Sequence, residues 1–307
     1  MTAPHASAPS RRSPFLAPSP WLHRILLTNV VVEVLIVVTG GLVRLTGSGL
    51  GCPTWPQCVP GSYVPVREQA EGFHSLIEYG NRTLTGLVGI VALAALVAVL
   101  MWTDRRRSLL VPAGLVLGGV ALQALIGGIT VLTHLHPATV ATHFMVSSGL
   151  VAAATYLWLH AKEAGAPPRP LVPAPVLTVA RVTAALTALV LVLGTVVTGS
   201  GPHSGDAEDP ARFGFDPRTI SWLHADAVML LVGLVVAVWL ATRLTATDTR
   251  AHRGWTIVLG ITLAQGLIGY VQYLTDLPEV LVMAHMLGAS LLVMAVVNGL
   301  MALRDRG

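Results

Sequence analysis

Long apolar stretches, each followed by a short polar segment, run along almost the whole chain. An α-helix needs about 20 apolar residues to cross a bilayer. We place eight stretches of that kind at about 25–43, 83–102, 109–131, 138–160, 173–198, 220–242, 255–274 and 280–302. This pattern predicts an all-α integral membrane protein with eight transmembrane helices, because only helices and closed barrels satisfy every backbone polar group inside a bilayer.

The apolar pattern also repeats. The segment QALIGGITVLTHLHPATVATH (123–143) aligns with QGLIGYVQYLTDLPEVLVMAH (265–285) without a gap, so that Gln123 corresponds to Gln265 and His143 to His285. An internal repeat in a helical membrane protein indicates two structurally similar units. Because the first and fifth helices start on the same side, we expect two pseudo-symmetric four-helix bundles arranged as parallel repeats.

The connection between the two bundles is the Pro-rich stretch AKEAGAPPRPLVPAP (161–175), and the first residues of the chain are rich in Pro, Ser and Ala. Such compositions are typical of linkers and disordered tails. We therefore predict a disordered cytoplasmic tail at 1–24, an N-terminal half at 25–165 and a C-terminal half at 166–307.

Composition and charge agree with a membrane protein. Hydrophobic residues make up 53% of the chain and charged residues 11%, whereas a soluble domain has about 25% charged residues. Most Lys and Arg fall in the connections on one side, including the run 105–107 and both chain ends. The positive-inside rule therefore places both termini in the cytoplasm of a multi-pass protein of the cell membrane, in contact with membrane lipid. No basic patch alternates with aromatic residues, so we expect no nucleic-acid partner.

Three histidines lie in apolar, membrane-length segments: His143, His224 and His285. His224 and His285 lie at similar depths in helices that begin on the same face. Neutral imidazoles on two facing helices are suitable axial ligands for heme iron. The alternative is that each imidazole only hydrogen-bonds a neighbouring helix. The repeat places His143 at the position of His285, so we also predict an iron ligand in the N-terminal half.

Asn81 occupies the position that corresponds to His224 when IEYGNR (77–82) is aligned with ISWLHA (220–225). The N-terminal half therefore has one strong candidate ligand and an amide opposite it. Glu78 lies three residues before Asn81 and shares its helix face. An ionisable group near the membrane interior indicates function by default, and we predict that Glu78 is catalytic. The alternative is an ion pair with Arg82, four residues further on.

The two cysteines, Cys52 and Cys58, flank PTWPQ in the first outer connection. On the oxidising side of a membrane a close pair most simply forms a disulfide. Two thiols alone do not complete a four-ligand metal site. The spacing leaves open whether the bond is a structural link or a redox-active catalytic pair.

Arg44 and Arg82 lie near the outer ends of their helices, where they can bind the propionate groups of a heme. The alternative is that both side chains simply extend towards the interface.

The chain resembles the heme A synthase family in five motifs that span nearly all of residues 25–302: GGLVRLTGSGLGCPTWPQC, HSLIEYGNRTLTG, THLHPATVATH, LGTVVTGSGPHSGD and LPEVLVMAHMLGAS. Members of this family are eight-span membrane enzymes that oxidise a methyl group of heme o to the formyl group of heme a. The bacterial type carries a cysteine pair in the first extracytoplasmic loop.

This resemblance implies a heme b between His224 and His285, and heme o as the substrate at His143. It also implies an essential acidic residue at Glu78 and a loop cysteine pair at Cys52 and Cys58. The implied partners are heme o, a heme o synthase, the assembly of cytochrome oxidase, and an electron donor of unknown identity.

The chain departs from the family pattern at Asn81, where many members carry histidine. One strong ligand leaves an axial position open for oxygen chemistry, which two imidazoles would close. A competing interpretation is an electron-transfer protein that resembles the quinol dehydrogenase cytochromes b. That class is expected to have paired histidines in both halves, so Asn81 argues against it. A third class, a transporter built from parallel repeats, would bind no iron.

Overall fold

Eight long helices make up most of the described part of the chain. The computed structural model describes residues 20–102, 106–163, 165–203, 205–206 and 211–306. The helices are α1 (Pro20–Leu45), α2 (Phe73–Trp102), α3 (Arg106–Leu132), α4 (Pro137–His160), α5 (Ala174–Ser200), α6 (Pro217–Thr245), α7 (Thr249–Leu274) and α8 (Glu279–Met301). Each is long and apolar enough to cross a membrane. The prediction of an all-α membrane protein with eight spans is therefore confirmed.

Three helices begin five or more residues earlier than the sequence suggested, and one of them is α7, which begins at Thr249 rather than near residue 255. α1 begins at Pro20, so the predicted disordered tail at 1–24 is wrong for its last five residues, and residues 1–19 lie outside the described part of the chain. α2 begins at Phe73 rather than near residue 83. Its first turns contain polar residues that a hydropathy window rejects, but the carboxylate of Glu78 and the guanidinium of Arg82 pair within the helix.

Prolines and short polar side chains mark where several helices start. α4 and α6 begin with Pro137 and Pro217, at the position where a helix has no use for the missing N–H. Asp216 precedes α6, and its carboxylate accepts hydrogen bonds from the hydroxyl and backbone N–H of Thr219 at 2.6 and 2.8 Å. These hydrogen bonds stabilise the ionised carboxylate and lower the pKa of Asp216.

The helices pack as two rings of four. Within each ring, neighbours in sequence are neighbours in space, and the first helix also contacts the last. α4 and α8 pack against each other between the rings. The α3–α4 and α7–α8 turns share an unusual backbone: His134 and Leu135 have φ of 49° and 55°, and Asp276 and Leu277, at the corresponding positions of the repeat, both have φ of 58°. This agreement supports the internal repeat.

We call the end of the bundle that holds Pro20 and residue 304 the tail face, and the opposite end the loop face. At the tail face, strand β1 (Arg169–Pro170) pairs with strand β2 (Arg304–Asp305), so the connection between the rings is joined to the C-terminal segment. The carboxylate of Glu163 lies 3.4 Å from the guanidinium of Arg304. Buried apolar clusters fill both rings between the helices, and many large apolar side chains face outwards, as a bilayer environment requires.

Candidate functional site

A cavity of about 870 Å³ lies between the helices and extends through both rings. Its lining side chains come from all eight helices and from the first loop. The volume is in the upper part of the range for pockets that enclose organic ligands, which is about 300–1,000 Å³. His143, His224, His285 and Asn81 all line it. The structure therefore brings together the four positions that the sequence singled out.

His224 on α6 and His285 on α8 each face a glycine on a neighbouring helix. A Cβ atom built at Gly194 would lie 3.3 Å from Cε1 of His224, and one at Gly269 would lie 3.5 Å from Cε1 of His285. A side chain at Gly194 would press on the His224 ring, and one at Gly269 would fill the space beside His285. The glycines therefore allow the two imidazoles to lie close against α5 and α7 and to keep their edges towards the cavity.

The imidazole nitrogens are poorly satisfied by the protein itself. Within the described residues, the buried Nδ1 atoms of His143, His224 and His285 have no hydrogen-bond partner. The backbone carbonyl of Val190 lies near the His224 ring, although no hydrogen bond of normal geometry reaches Nδ1. A histidine that only joins two helices is expected to use such a buried nitrogen in a hydrogen bond to the neighbouring helix. This observation argues against histidines that only join helices.

His143 on α4 has the same surroundings as His285. A Cβ atom built at Gly127 would lie 3.4 Å from its Cε1, and Gly127 corresponds to Gly269 in the repeat just as His143 corresponds to His285. Gln123 on α3 donates a hydrogen bond of 2.8 Å to the backbone carbonyl of His143. This bond fixes the turn of α4 that carries the imidazole.

Asn81 on α2 faces the part of the cavity next to His143. Its side-chain Oδ1 is buried and has no hydrogen-bond partner within the described residues. Gly40 on α1 lines the same part of the cavity, and a Cβ atom built there would meet nothing within 4 Å. This side of the N-terminal ring is therefore more open than the His224 side of the C-terminal ring.

Glu78 connects α2 to the cysteine loop. Its Oε2 accepts the backbone N–H of Cys52 at 2.6 Å, and its Oε1 accepts two hydrogen bonds from Arg82 at 3.0 and 2.6 Å. The side chain is buried and lines the cavity. Pairing with Arg82 and exposure to the cavity, which the sequence treated as alternatives, therefore occur together.

The guanidinium of Arg82 donates hydrogen bonds to backbone carbonyls of the cysteine loop. Its Nη2 donates to the carbonyl of Cys52 at 2.8 Å, and its Nη1 donates to the carbonyls of Thr54 and Gln57 at 3.0 and 3.3 Å. Together with the two bonds to Glu78, these contacts use all five N–H donors of the guanidinium. The predicted role of Arg82 in binding a propionate does not fit this geometry, because no donor remains.

Arg44, at the loop-face end of α1, lines the cavity. Its Nε and Nη2 donate hydrogen bonds to the carbonyls of His203 and Thr198 at 2.5 and 3.0 Å. Nearby, the backbone N–H of Gly49 donates to the carbonyl of Gly205 at 2.9 Å. The loop-face connections of the two rings are thus joined, and a guanidinium is held at the mouth of the cavity.

Cys52 and Cys58 form a disulfide, as the sequence predicted. Neither residue is exposed. Between them, Trp55 lines the cavity and lies on Gly128 of α3, where a Cβ atom would come within 2.5 Å of the indole. The disulfide loop therefore inserts an aromatic side chain into the N-terminal part of the cavity.

We expect mass spectrometry under non-reducing conditions to find Cys52 and Cys58 joined. Reductant should open the bond slowly in the folded protein, because thiol–disulfide exchange needs access to a sulfur atom and both are buried. The measurement is the rate of thiol alkylation with reductant, compared in native and unfolded protein. Labelling of both thiols in native protein without reductant would contradict the bond.

The sequence missed the residues that shape the site without being polar. Gly127, Gly194 and Gly269 face the histidines, but their role depends on how close a neighbouring helix lies. Trp55 had no signal except its place between the cysteines. The repeat offers a partial signal, since Gly127 and Gly269 occupy the same position in the two aligned segments.

The family model for the COX15-CtaA cytochrome oxidase assembly proteins matches residues 23–297, which covers all eight helices almost completely. The chain belongs to this family. The matched region includes the disulfide loop and every histidine that lines the cavity, so the COX15-CtaA assignment applies to the whole site.

The chain is also similar to several heme A synthases. The heme A synthase of Symbiobacterium thermophilum is 30% identical over 83% of this chain and 89% of its own length. The heme A synthase of Alkalihalophilus pseudofirmus is 32% identical over 46% of this chain and 48% of its own length. That of Bacillus pumilus is 33% identical over 41% and 40%. With the last two proteins, the chain aligns over about half of the relative's length or less.

Proposed function

We propose that this protein is a heme A synthase that oxidises the methyl group of heme o to the formyl group of heme a for the assembly of cytochrome oxidase. One observation carries the proposal: a single cavity joins His143 to the pair His224 and His285, and the carboxylate of Glu78 lines it. Family membership and relatives named heme A synthase support it.

In the C-terminal half, we propose that His224 and His285 would hold heme b through their imidazoles. The donor set fits, because both half-buried imidazoles line the cavity and neutral imidazole is a common ligand of heme iron. Gly194 and Gly269 leave each ring room beside its neighbouring helix. Heme b bound there supplies reversible one-electron transfer. The protein residues orient the ligands and keep water out of an apolar site.

In the N-terminal half, we propose that His143 binds the iron of the substrate heme o and that Asn81 lies on the other side. An amide is a much weaker ligand for iron than an imidazole, so this side stays accessible to a small oxidant such as oxygen. Arg44 lies at the mouth of the cavity and is the proposed partner of a propionate. Trp55 covers the site from the disulfide loop.

Glu78 is the proposed catalytic acid–base residue. With oxygen as the oxidant and the electron donor as the reductant, conversion of the methyl group into a formyl group takes up two oxygen molecules, four electrons and four protons and releases three water molecules, so the site needs a residue that transfers protons. The carboxylate is buried at the cavity wall, and Arg82 and the Cys52 N–H hold both of its oxygens. We propose that Glu78 transfers these protons as the methyl group is oxidised, and that Cys52 and Cys58 keep the loop in place around it.

The membrane context follows the same proposal. We propose that the protein lies in the cell membrane with both termini in the cytoplasm, so that the disulfide loop is on the oxidising side. A heme o synthase in the same membrane is the proposed source of substrate, since heme o is too apolar to diffuse freely through water. A separate electron donor is expected, and its identity is open.

The test is conversion by the purified protein. Protein in lipid nanodiscs is supplied with heme o, oxygen and a reductant, and the extracted hemes are separated by chromatography. We expect heme a to form in amounts that grow with time. Stable low-spin heme in both halves without any heme a would instead favour the electron-transfer protein.

The substitution Asn81→His tests the arrangement of the N-terminal site. It should give a six-coordinate, low-spin heme in that half, because residue 81 and His143 both line the cavity and the repeat aligns residue 81 with His224, so that a second imidazole could bind the iron. We also expect slower turnover. The absorption spectrum after reconstitution with heme o is the measurement, with Asn81→Leu as the matched control. A first-half heme that stays high-spin in Asn81→His would show that residue 81 does not face the iron.

A further inference from the structure

The deep end of the N-terminal part of the cavity contains a carboxylate that the proposed mechanism does not use. Glu33 lies in the middle of α1, is 2% exposed and lines the cavity. Asn29 lies one helical turn away and is fully buried. Within the described residues, Oε1 of Glu33 and both side-chain polar atoms of Asn29 have no hydrogen-bond partner. Such groups cost free energy unless a ligand satisfies them.

The C-terminal half shows that the fold does not need this acid. The cavity-lining residues of α1 are spaced like those of α5, at one constant offset: Ile36, Val37, Gly40, Gly41, Val43 and Arg44 correspond to Val190, Leu191, Gly194, Thr195, Val197 and Thr198. The same offset places Glu33 opposite Thr187 and Asn29 opposite Thr183. Both threonine hydroxyls donate to carbonyls of their own helix, at 2.9 and 2.8 Å. The polar side chains at these two positions therefore have hydrogen-bond partners in the C-terminal half, whereas those in the N-terminal half have none within the described residues.

The floor around these positions is mostly apolar, and the hydroxyl of Thr262, which also lines the cavity, donates to the carbonyl of Val258 in its own helix. Val88 and Leu150 line it in the N-terminal half, and Leu231 and Leu292 line it at the equivalent positions in the C-terminal half. An unsatisfied acid within such a floor is a selective feature, because it disfavours a purely apolar ligand group and favours one that carries a hydrogen-bonding atom.

Depth indicates which part of a heme would reach Glu33. His143 lies six residues from the loop-face end of α4, a depth of about 9 Å at the helical rise per residue. Glu33 lies twelve residues from the loop-face end of α1, a depth of about 18 Å. Arg44 lies at the mouth. A heme bound at His143 with a propionate at Arg44 therefore directs its opposite edge towards Glu33.

Heme o and heme b differ at that opposite edge. Heme b carries an apolar vinyl group there, whereas heme o carries a hydroxyethylfarnesyl group, whose hydroxyl lies on the carbon next to the ring. We propose that Glu33, with Asn29 behind it, recognises this hydroxyl and so selects heme o over heme b in the N-terminal half. The inference rests on the proposed function, because it takes heme o as the substrate.

The experiment measures the effect of the hydroxyl on binding with compounds that carry no farnesyl chain. Iron hematoporphyrin carries hydroxyethyl groups at the two vinyl positions of heme b, and iron mesoporphyrin carries ethyl groups there. Each compound is titrated into protein purified from cells that make no heme o, with heme b in its C-terminal half. The absorption change assigned to the N-terminal half is the part that His143→Ala removes.

We expect wild-type protein to bind the hydroxyethyl compound about tenfold more tightly than the ethyl compound, which corresponds to about 1.4 kcal/mol. Glu33→Leu should lose this preference, since leucine neither donates nor accepts a hydrogen bond. Glu33→Gln should keep most of it. Thr187→Val, at the equivalent position of α5, is the matched control and should behave as wild type. The low-spin heme b spectrum reports whether each variant is folded, and Glu33→Ala provides a second truncation.

Three results would overturn the inference. The first is equal affinity of wild-type protein for both compounds. The second is an unchanged preference in folded Glu33→Leu or Glu33→Ala. The third is a Glu33 variant that loses turnover of heme o but keeps the preference, which would indicate proton transfer by Glu33. Failure of the proposed function is distinct from all three, because it is the absence of heme a when wild-type protein is supplied with heme o.

Discussion

Replacing His224 or His285 by alanine is expected to abolish the low-spin heme b spectrum of the purified protein. Both imidazoles line the cavity, and Nδ1 of each is unsatisfied within the described residues. Loss of one axial ligand leaves the iron under-coordinated in an apolar site. We expect at least tenfold less bound heme in either variant, measured as the ratio of heme to protein.

A matched control for this prediction is His252→Ala. His252 also lies in a helix of the C-terminal half and also has an unsatisfied Nδ1 within the described residues, but it is next to Trp239 near the tail face and is not among the residues lining the cavity. Its loss should leave the heme spectrum unchanged. Full retention of the low-spin spectrum in both His224→Ala and His285→Ala would remove the proposed heme b site.

Glu78→Gln is expected to lower the conversion of heme o by about 10² to 10⁴-fold, the usual contribution of a general acid–base residue. The amide keeps the shape of the side chain but is not basic. The substitution also removes the negative charge that pairs with Arg82. The NH₂ group of the amide would then face another donor, either Arg82 or the backbone N–H of Cys52. The heme b spectrum should remain, since His224 and His285 lie in the other half.

The assay for Glu78→Gln is heme a formed per unit time by protein with a normal heme b content. Glu78→Asp is the informative companion, because it keeps the charge and shortens the side chain by one methylene group. We expect it to retain more activity than the amide. Conversion by Glu78→Gln at the wild-type rate would exclude a catalytic role for this carboxylate.

The polar parts of the site could be predicted because they are rare in their surroundings. An imidazole in an apolar span is conspicuous, and the internal repeat by itself aligns His143 with His285. The eight helices followed from the same hydropathy pattern. The start of α2 was missed because Glu78 and Arg82 neutralise each other inside the helix, and a window that counts charges separately rejects that segment.

Other features depend on contacts between distant parts of the chain. Arg82 was expected to bind a propionate, yet its donors point to the loop that contains Cys52, because that loop folds back over the start of α2. Likewise, nothing in the local sequence indicates that Gly194 lies beside His224 or that Trp55 reaches Gly128. These contacts arise from helix packing and loop return, which apolar periodicity does not specify.

The most direct test of the central claim is the heme content of cells that make heme o and express this chain. Hemes are extracted and separated by chromatography, with cells expressing Glu78→Gln as the comparison. We expect heme a to accumulate with the wild-type chain and heme o to persist with the variant. Heme o as the only farnesylated heme in cells with correctly folded wild-type protein would contradict it.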